Sequence, residues 1–380
     1  MANTLSALIP SLYASLDVIS RELVGAIPCA TIDATTSRAA VGQVVTAFKA
    51  PQSVATDIIP GVVPPNDGDQ NIGNVTLTIT KARRVPFRWN GEEELGLNNN
   101  GAGATAIKTS QMTQAMRTLV NEMEVDLVTA ARVSASRAWG IAGTTPFAAT
   151  LGDPAQVRKI LDDNGAPMND RCLVIDTGAG AALRTLGQLT KANEAGTMLT
   201  LRDGQLLDLH GFSIHESAGV RAVAKGTGAA YTSNATGYPV GSTAITVITG
   251  TGTVLAADVV TFAGDTNKYV VETALTGGVV TLAAPGLQVA LPASAVAMTV
   301  GATAVSNIAF SSSALMLATR APALPDGGDL AVDRMSITDP RSGMTFEVAM
   351  YPQYRQMQYE VSICWGVKGI KSQHTALLLG

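Results

Sequence analysis

A long amphipathic stretch between Ala104 and Ala138 limits how this chain can fold more than any other feature of the sequence. Apolar residues recur along it at spacings of three and four: Met112, Met116, Leu119, Met123, Leu127 and Ala130. That spacing puts one apolar stripe on a single face of a helix. At 1.5 Å per residue the helix would be roughly 50 Å long, about the width of a small domain. Such a rod suits a subunit that packs against neighbours better than an enzyme folded around a pocket.

The composition also favours a protein whose surface is covered by other subunits. Of the 380 residues, 46% are apolar and only 15% are charged, whereas ordinary soluble domains carry about 25% charged residues. An ordinary Ala/Gly/Thr-rich protein is the alternative interpretation. The net charge of −4 excludes a generally basic nucleic-acid binder, so any contact with DNA would be local and weak.

The sequence carries no signal for secretion or for a membrane span. Its start, Met1-Ala-Asn-Thr-Leu, lacks the basic residues and long apolar core of a secretory signal. No stretch approaches the roughly 20 uninterrupted apolar residues that cross a bilayer. The cysteines at positions 29, 172 and 364 are odd in number and far apart. They predict reduced, buried thiols in a protein made in a cytosol.

The first hundred residues predict an amphipathic helix over residues 4–25 and then a long β-hairpin from Val41 to Leu97. Prolines and the tip Asn66-Asp67-Gly68-Asp69 exclude a helix there, and alternation around Leu77 indicates a strand. The second strand carries a basic and then an acidic end, with Trp89 between them at the base of the arm: Lys81, Arg83, Arg84, Arg88, Glu92, Glu93 and Glu94. These charges form either a solvated face of little energetic value or a surface that sets register between subunits.

The middle of the chain changes from α/β to purely β. Asp153 is expected to cap a helix that begins at Pro154, a buried strand is expected over residues 171–176, a helix over 181–189, and a strand pair over 206–217. From residue 222 to about 306 the chain is nearly uncharged. Short strands are expected there at 244–248, 259–262, 269–272, 279–282 and 297–300. Their even spacing predicts a small inserted Greek-key barrel or sandwich, after which strands follow at 344–350 and 359–365.

The motifs that resemble catalytic or metal sites are weak. Asp176-Thr-Gly follows an apolar strand as in aspartic proteases, but those enzymes need two such carboxylates, so this reading would require a homodimer. A helix cap is the simpler interpretation of Asp176. A dinucleotide turn at Gly178 lacks its third glycine. No Cys or carboxylate cluster joins His210 and His215, and a zinc site needs more ligands than these two. We therefore expect no catalytic residue, cofactor or metal.

The order of parts resembles the major capsid proteins of tailed bacteriophages, which have the Hong Kong 97 fold. Within that family the chain most resembles the coat protein of the short-tailed Salmonella phages, which carries an inserted I-domain. Four segments carry the resemblance: Gly73 to Glu94, Asp258 to Gly264, Asn307 to Pro322 and Ile363 to Val367. The chain departs from the family in a shorter, less charged insertion and a different E-loop tip.

The resemblance implies an α+β capsid fold with five parts. These are an N-terminal arm and helix at 1–46, an E-loop hairpin at 47–102, a P-domain with the spine helix at 103–150 and 326–380, an A-domain at 151–222 and 306–325, and an inserted β-barrel I-domain at 223–305. It also implies a structural, non-enzymatic coat subunit that self-assembles as hexamers and pentamers into an icosahedral head around double-stranded DNA.

The expected partners are sister subunits, a scaffolding protein and a portal, with weak contact to packaged DNA and no membrane. The expected location is the virion, after synthesis in the host cytoplasm. Two other functions stay open at this point. One is a secreted β-rich surface-layer or adhesin protein, favoured by the Thr/Gly/Ala-rich stretch, and the other is the homodimeric protease through Asp176.

Overall fold

The computed structural model describes residues 24–49, 55–58, 60–63, 68–69, 72–99, 103–190, 208–338 and 344–380. Its helices are α1 (Gly91–Asn99), α2 (Ala104–Ser134), α3 (Gly152–Asp163), α4 (Thr177–Thr185) and α5 (Gly187–Thr190). None of these helices is both long enough and apolar enough to cross a membrane. The predicted helix at 4–25 lies outside the described residues, apart from Val24 and Gly25, which are not helical.

One sheet carries the long helix on its face. Its strands lie in the order β1-β16-β19-β18-β17, and β4 pairs with β19 beside this path. Their bounds are β1 (Thr31–Ala39), β4 (Lys81–Asn90), β16 (Leu315–Pro322), β17 (Asp333–Thr338), β18 (Thr345–Gln353) and β19 (Gln356–Gly369). The strands β18 and β19 confirm the expected pair near the end of the chain, each longer than expected.

The predicted apolar stripe of α2 is buried in the main core. Met116, Leu119, Met123 and Leu127 pack there with sheet residues that include Trp365. The helix nevertheless ends at Ser134, four residues before the expected Ala138. Residues after it form strand β5 (Arg137–Gly140). This strand pairs with two later strands, β20 (Thr375–Leu379) and β12 (Lys268–Thr276). Pairing with strands more than a hundred residues away overrides the local helical pattern.

A second sheet contains twelve strands and joins an α/β layer to a barrel. Its α/β part runs β5-β20-β15-β6-β7, with β8 beside β15. Their bounds are β6 (Arg171–Ile175), β7 (Ser213–Glu216), β8 (Ala222–Val223), β15 (Ala304–Ser311) and β20 (Thr375–Leu379). Helices α3 and α4 pack on it over a second core that contains Leu161, Leu183 and Phe212.

Two helix starts in this layer differ from the sequence predictions. Helix α3 begins at Gly152, with Leu151 at the N-cap, and the Asp153 carboxylate instead accepts a hydrogen bond of 2.9 Å from the Phe147 amide. Helix α4 begins at Thr177, four residues before the expected start, because Asp176 caps it. The expected strand pair around Gly211 is strand β7 with one bridge between Leu209 and Phe212.

Six further strands close into a barrel in the order β11-β14-β9-β10-β13-β12, and pairing of β11 with β12 completes the ring. Their bounds are β9 (Tyr231–Ser233), β10 (Ala244–Ile248), β11 (Val259–Phe262), β12 (Lys268–Thr276), β13 (Val279–Leu282) and β14 (Ala297–Val300). Phe262, Tyr269 and Leu282 lie in its apolar interior. The five strands expected from sequence are present, four of them with the expected bounds.

Strand pairing joins the barrel to the rest of the described chain at two places. The segments that enter and leave it pair with each other, with Val223 opposite Ala304. In addition, β12 pairs with β5 through Lys268 and Ala138, so the barrel wall continues into the α/β sheet. The chain therefore re-enters the α/β layer beside the point where it left that layer. Strand β12 of the barrel also pairs with β5, a strand of the same layer.

Strands β2 (Val44–Lys49) and β3 (Gly73–Thr78) form a separate antiparallel ribbon. Leu77 anchors its base by packing against Met316 and Ala318. The expected hairpin from Val41 to Leu97 is thus partly wrong. The chain after β3 becomes β4, a strand of the first sheet, and then the helix α1, because β4 pairs along ten residues with β19 and α1 begins at Gly91.

Candidate assembly surface

The basic residues of β4 lie against acidic residues of the same chain. The Lys81 ammonium is 2.9 Å from the Glu122 carboxylate and 2.8 Å from that of Asp126, both on α2. Arg83 reaches Glu122 at 3.3 Å, and Arg84 reaches Glu360 on β19 at 2.6 Å. Each of these three cations thus has an acidic partner within the subunit. The expected contact with neighbouring subunits stays a prediction.

Two of these pairings change the acidity of Lys81 and Arg84. Burial lowers the pKa of Lys81, but its hydrogen bonds to Asp126 and Glu122 outweigh burial and leave that pKa above its usual value. The hydrogen bond from Arg84 to Glu360 raises the pKa of Arg84. All three contacts hold β4 between α2 and β19. Since Arg83 and Arg84 stay more than half exposed, one face of each remains open to a partner.

The acidic cluster does not continue the hairpin but forms the first turn of α1. Acidic side chains are favourable there because the helix dipole is positive at its N-terminus. Glu93 and Asn90 form a reciprocal capping box, in which each side chain accepts a hydrogen bond from the other's backbone amide. Glu94 pairs with Lys108 of α2, while Glu92 is exposed.

The two remaining predicted residues lie at the same end of β4. Trp89 is buried against Leu97 and Ala104, and its indole nitrogen donates to Gln111 at 2.7 Å. It therefore packs where β4, α1 and α2 meet. Arg88 lies on the exposed face of β4, opposite Gln358 in register.

The ribbon and its tip expose large apolar side chains. Ile58 is 95% exposed and Phe48 is 82% exposed, and Val62, Val63 and Ile72 are also exposed. Monomeric soluble proteins rarely leave contiguous apolar surface uncovered. We name the described residues 44–49, 55–58, 60–63, 68–69 and 72–78 the ribbon surface. These five exposed apolar side chains belong to none of the apolar cores of the described chain.

A buried carboxylate that sequence reasoning missed fixes the start of the described chain. Glu124 of α2 is 2% exposed and accepts hydrogen bonds from the backbone amides of Gly25, Ala26 and Ile27 at 2.9, 2.7 and 3.0 Å. It also accepts one of 2.7 Å from the Ser217 hydroxyl. The amphipathic pattern offered a weak signal, since this acidic residue follows Met123 directly.

Asp176 is used as a structural cap. Its carboxylate accepts hydrogen bonds from the amides of Gly178 at 2.9 Å and Ala179 at 3.3 Å, at the start of α4. Both acceptor oxygens are thereby engaged with backbone. The geometry matches the helix-cap interpretation of the Asp-Thr-Gly motif.

The cysteine prediction is wrong for two of the three residues. Cys29 and Cys172 are joined in a disulfide, while Cys364 is free and buried. The fold brings together two residues that are 143 positions apart, which spacing in sequence cannot reveal. His215 also lies beside this pair, so the expectation that it has no cysteine neighbours is wrong as well.

Comparison with known proteins gives similarity of structure without similarity of sequence. No protein-family model and no curated protein matches the chain. The chain is similar to the capsid structure of the cyanophage P-SCSP1u, with a TM-score of 0.51 and 11% identity over 100% of this chain and 92% of that one. It is also similar to a structure from Mycobacterium phage Che8, with a TM-score of 0.48 and 12% identity over 99% and 98% of the two chains.

The similarity to the cyanophage capsid shows the fold. The chain has a phage capsid fold, a mixed α+β architecture with few helices and many strands. At 11% identity the comparison extends to the fold alone.

Proposed function

We propose that this chain is the major capsid protein of a tailed bacteriophage, which self-assembles into an icosahedral head around double-stranded DNA. The ribbon surface carries this proposal, because five of its large apolar side chains are exposed within the described part of the subunit and a sister subunit can cover them. The capsid fold supports the same function. The role is structural and non-enzymatic, and the mature location is the virion after synthesis in the host cytoplasm.

The finer assignment follows the resemblance found in the sequence. We assign the chain to the Hong Kong 97 class, with the ribbon as the E-loop, α2 as the spine helix and the barrel as an inserted I-domain like that of the Salmonella short-tailed phages. The closed barrel and its paired entry and exit segments support the last point. This proposal includes the five domain bounds: the N-terminal arm at 1–46, the E-loop at 47–102, the P-domain at 103–150 with 326–380, the A-domain at 151–222 with 306–325, and the I-domain at 223–305.

The assembled shell follows from many modest contacts. The shell consists of hexamers and pentamers, and closure makes each new contact effectively intramolecular, so weak interfaces sum to a durable particle. A scaffolding protein and a portal are the further partners. With a net charge of −4, contact with packaged DNA is weak.

Electron microscopy of the overexpressed full-length chain tests the function directly. We expect rings, tubes or closed shells, and Ile58→Asp should reduce particle yield sharply because it places a charge in the covered apolar surface. Ile141→Asp is the matched control, since it makes the same change at an exposed isoleucine outside the ribbon surface. A chain that stays monomeric at every concentration, or an Ile58→Asp variant that forms particles as the wild type does, would refute the proposal.

The charged residues of β4 and α1 are proposed as a second contact area: Lys81, Arg83, Arg84, Arg88, Trp89, Glu92, Glu93 and Glu94. The double variant Arg83→Glu with Arg84→Glu should impair assembly and leave the subunit folded, because both side chains are more than half exposed. Lys159→Glu is the control, an exposed cation that also pairs within the chain, with Asp163. Normal particles from the double variant would remove the assignment.

A further inference from the structure

Three chain segments bring metal-binding side chains to one point in the α/β layer. Cys29 ends a short 3-10 turn, Cys172 lies on β6, and His215 lies on the neighbouring strand β7. The sulfur atoms and a ring nitrogen of these residues all lie within 4.8 Å of one another. The grouping is tertiary, since the residues are distant in sequence.

The sheet register explains why the side chains converge. Cys172 is opposite Ser213, and Val174 is opposite His215, so His215 lies on the same face of the sheet as Cys172 and Val174. That face belongs to the main core, whereas Leu173 and Ile175 face the second core. The amides of residues 25–27 donate hydrogen bonds to the Glu124 carboxylate, and these bonds position Cys29, two residues after Ile27.

The donor set is typical of zinc. Thiolate and imidazole ligands suit Zn²⁺, whereas Mg²⁺ and Ca²⁺ prefer oxygen. Tetrahedral zinc with bonds of about 2.3 Å to sulfur and about 2.0 Å to nitrogen needs donors about 3.5–3.8 Å apart. The 4.8 Å limit on the observed separations leaves room for that spacing with small movements of the side chains.

We propose that Cys29, Cys172 and His215 form a zinc site that is available when the disulfide is reduced. A cytosolic dithiol supplies the two electrons and two protons that convert the disulfide into two thiols, and is itself oxidised to a disulfide. Zinc then displaces one proton from each thiol and binds both thiolates and the neutral imidazole. The two states exclude each other because they use the same sulfur atoms.

The fourth zinc position is completed by water. His215 is half-buried, so the site has an opening toward solvent. The Ser213 hydroxyl is 3.2 Å from Nε2 of His215 and orients that ring. Both the disulfide and the zinc site tie the segment before β1 to the α/β sheet. Zinc thus replaces the disulfide as a cross-link between these parts in a reducing compartment.

Zinc content of the full-length chain tests the site. After exposure to Zn²⁺ and removal of excess metal, protein kept under dithiol reductant should retain one zinc per chain, and oxidised protein none. His215→Ala should weaken zinc binding about a hundredfold or more, since even loss of a group that only orients a ligand costs 10- to 100-fold. His210→Ala, at an exposed turn five residues earlier, should bind as the wild type does.

Cobalt gives a readout that does not depend on a variant folding. Reduced wild-type protein loaded with Co²⁺ should show thiolate-to-cobalt charge-transfer absorption of two thiolates, which disappears on oxidation. Reduced protein that retains no zinc, oxidised protein that binds as much as reduced protein, or wild-type affinity in His215→Ala would each overturn the proposal. Absence of the charge-transfer absorption would do so even if His215→Ala does not fold.

Discussion

Glu124→Gln should destabilise the protein and release the segment that precedes β1. In the wild type, one carboxylate oxygen accepts from the amides of Gly25 and Ala26 and from the hydroxyl of Ser217, and the other accepts from the amide of Ile27. Glutamine keeps only one acceptor oxygen. In its best orientation the new NH₂ group faces the Ile27 amide, so that buried N–H loses its acceptor.

The size of the effect follows from these contacts. An unpaired buried donor costs about 2 kcal/mol, and each of the three remaining hydrogen bonds weakens by about 1 kcal/mol when the acceptor loses its charge. A neutral side chain is cheaper to bury than a carboxylate, which offsets part of that sum. We therefore expect a net loss of about 3 kcal/mol in the free energy of unfolding.

Urea unfolding followed by far-UV circular dichroism measures the loss, and amide hydrogen exchange at Ala26 and Ile27 locates it. The matched control is Glu122→Gln, on the same helix two residues earlier. Glu122 is one-third exposed, so its pairs with Lys81 and Arg83 are worth about 1 kcal/mol or less. If Glu124→Gln unfolds within about 0.5 kcal/mol of the wild type, or if its Ala26 and Ile27 amides exchange at the wild-type rate, the reasoning fails.

Three further predictions test the barrel and the α/β layer. Replacing residues 226–303 by a short linker should leave a folded α/β body, because the entry and exit segments pair; loss of the helical circular-dichroism signal would contradict this. Asp176→Ala should cost about 1 kcal/mol of stability and Asp176→Asn much less, because asparagine also caps helices; equal losses in urea unfolding would argue against the cap. Burial and the hydrogen bond to Asp265 raise the pKa of Tyr269 from 10.0 to about 12. The neutral phenol therefore contributes stability that is complete below pH 10 and is lost as pH rises toward 12. Tyr269→Phe should flatten the stability–pH curve in that range, and an unchanged curve would exclude Tyr269 as its source.

Patterns of apolar residues within a single segment correctly predicted several helices and strands. The stripe at spacings of three and four located α2, and alternation with Gly-rich turns located the barrel strands at 244–248 and 259–262. Each of these signals lies within one element, because side-chain burial repeats with the period of the helix or the strand. The buried strand expected over residues 171–176 was equally predictable and is β6 (Arg171–Ile175).

Features that depend on distant partners were missed or placed wrongly. The helical pattern ran on to Ala138, but pairing with β20 and β12 converts residues 137–140 into a strand. The pairs of Lys81 with Glu122 and Asp126, and of Arg84 with Glu360, were also missed. No spacing rule connects such pairs.

The sequence by itself determined the long amphipathic helix of the first half, most of the barrel strands, and where the uncharged β-rich region begins and ends. Only the tertiary structure decided how the barrel closes, which carboxylate holds residues 25–27, and that Cys29, Cys172 and His215 meet. The physical reason is the range of the interactions. Secondary structure follows from burial patterns among residues a few positions apart, whereas a site is assembled from side chains that become neighbours only when sheets and helices pack.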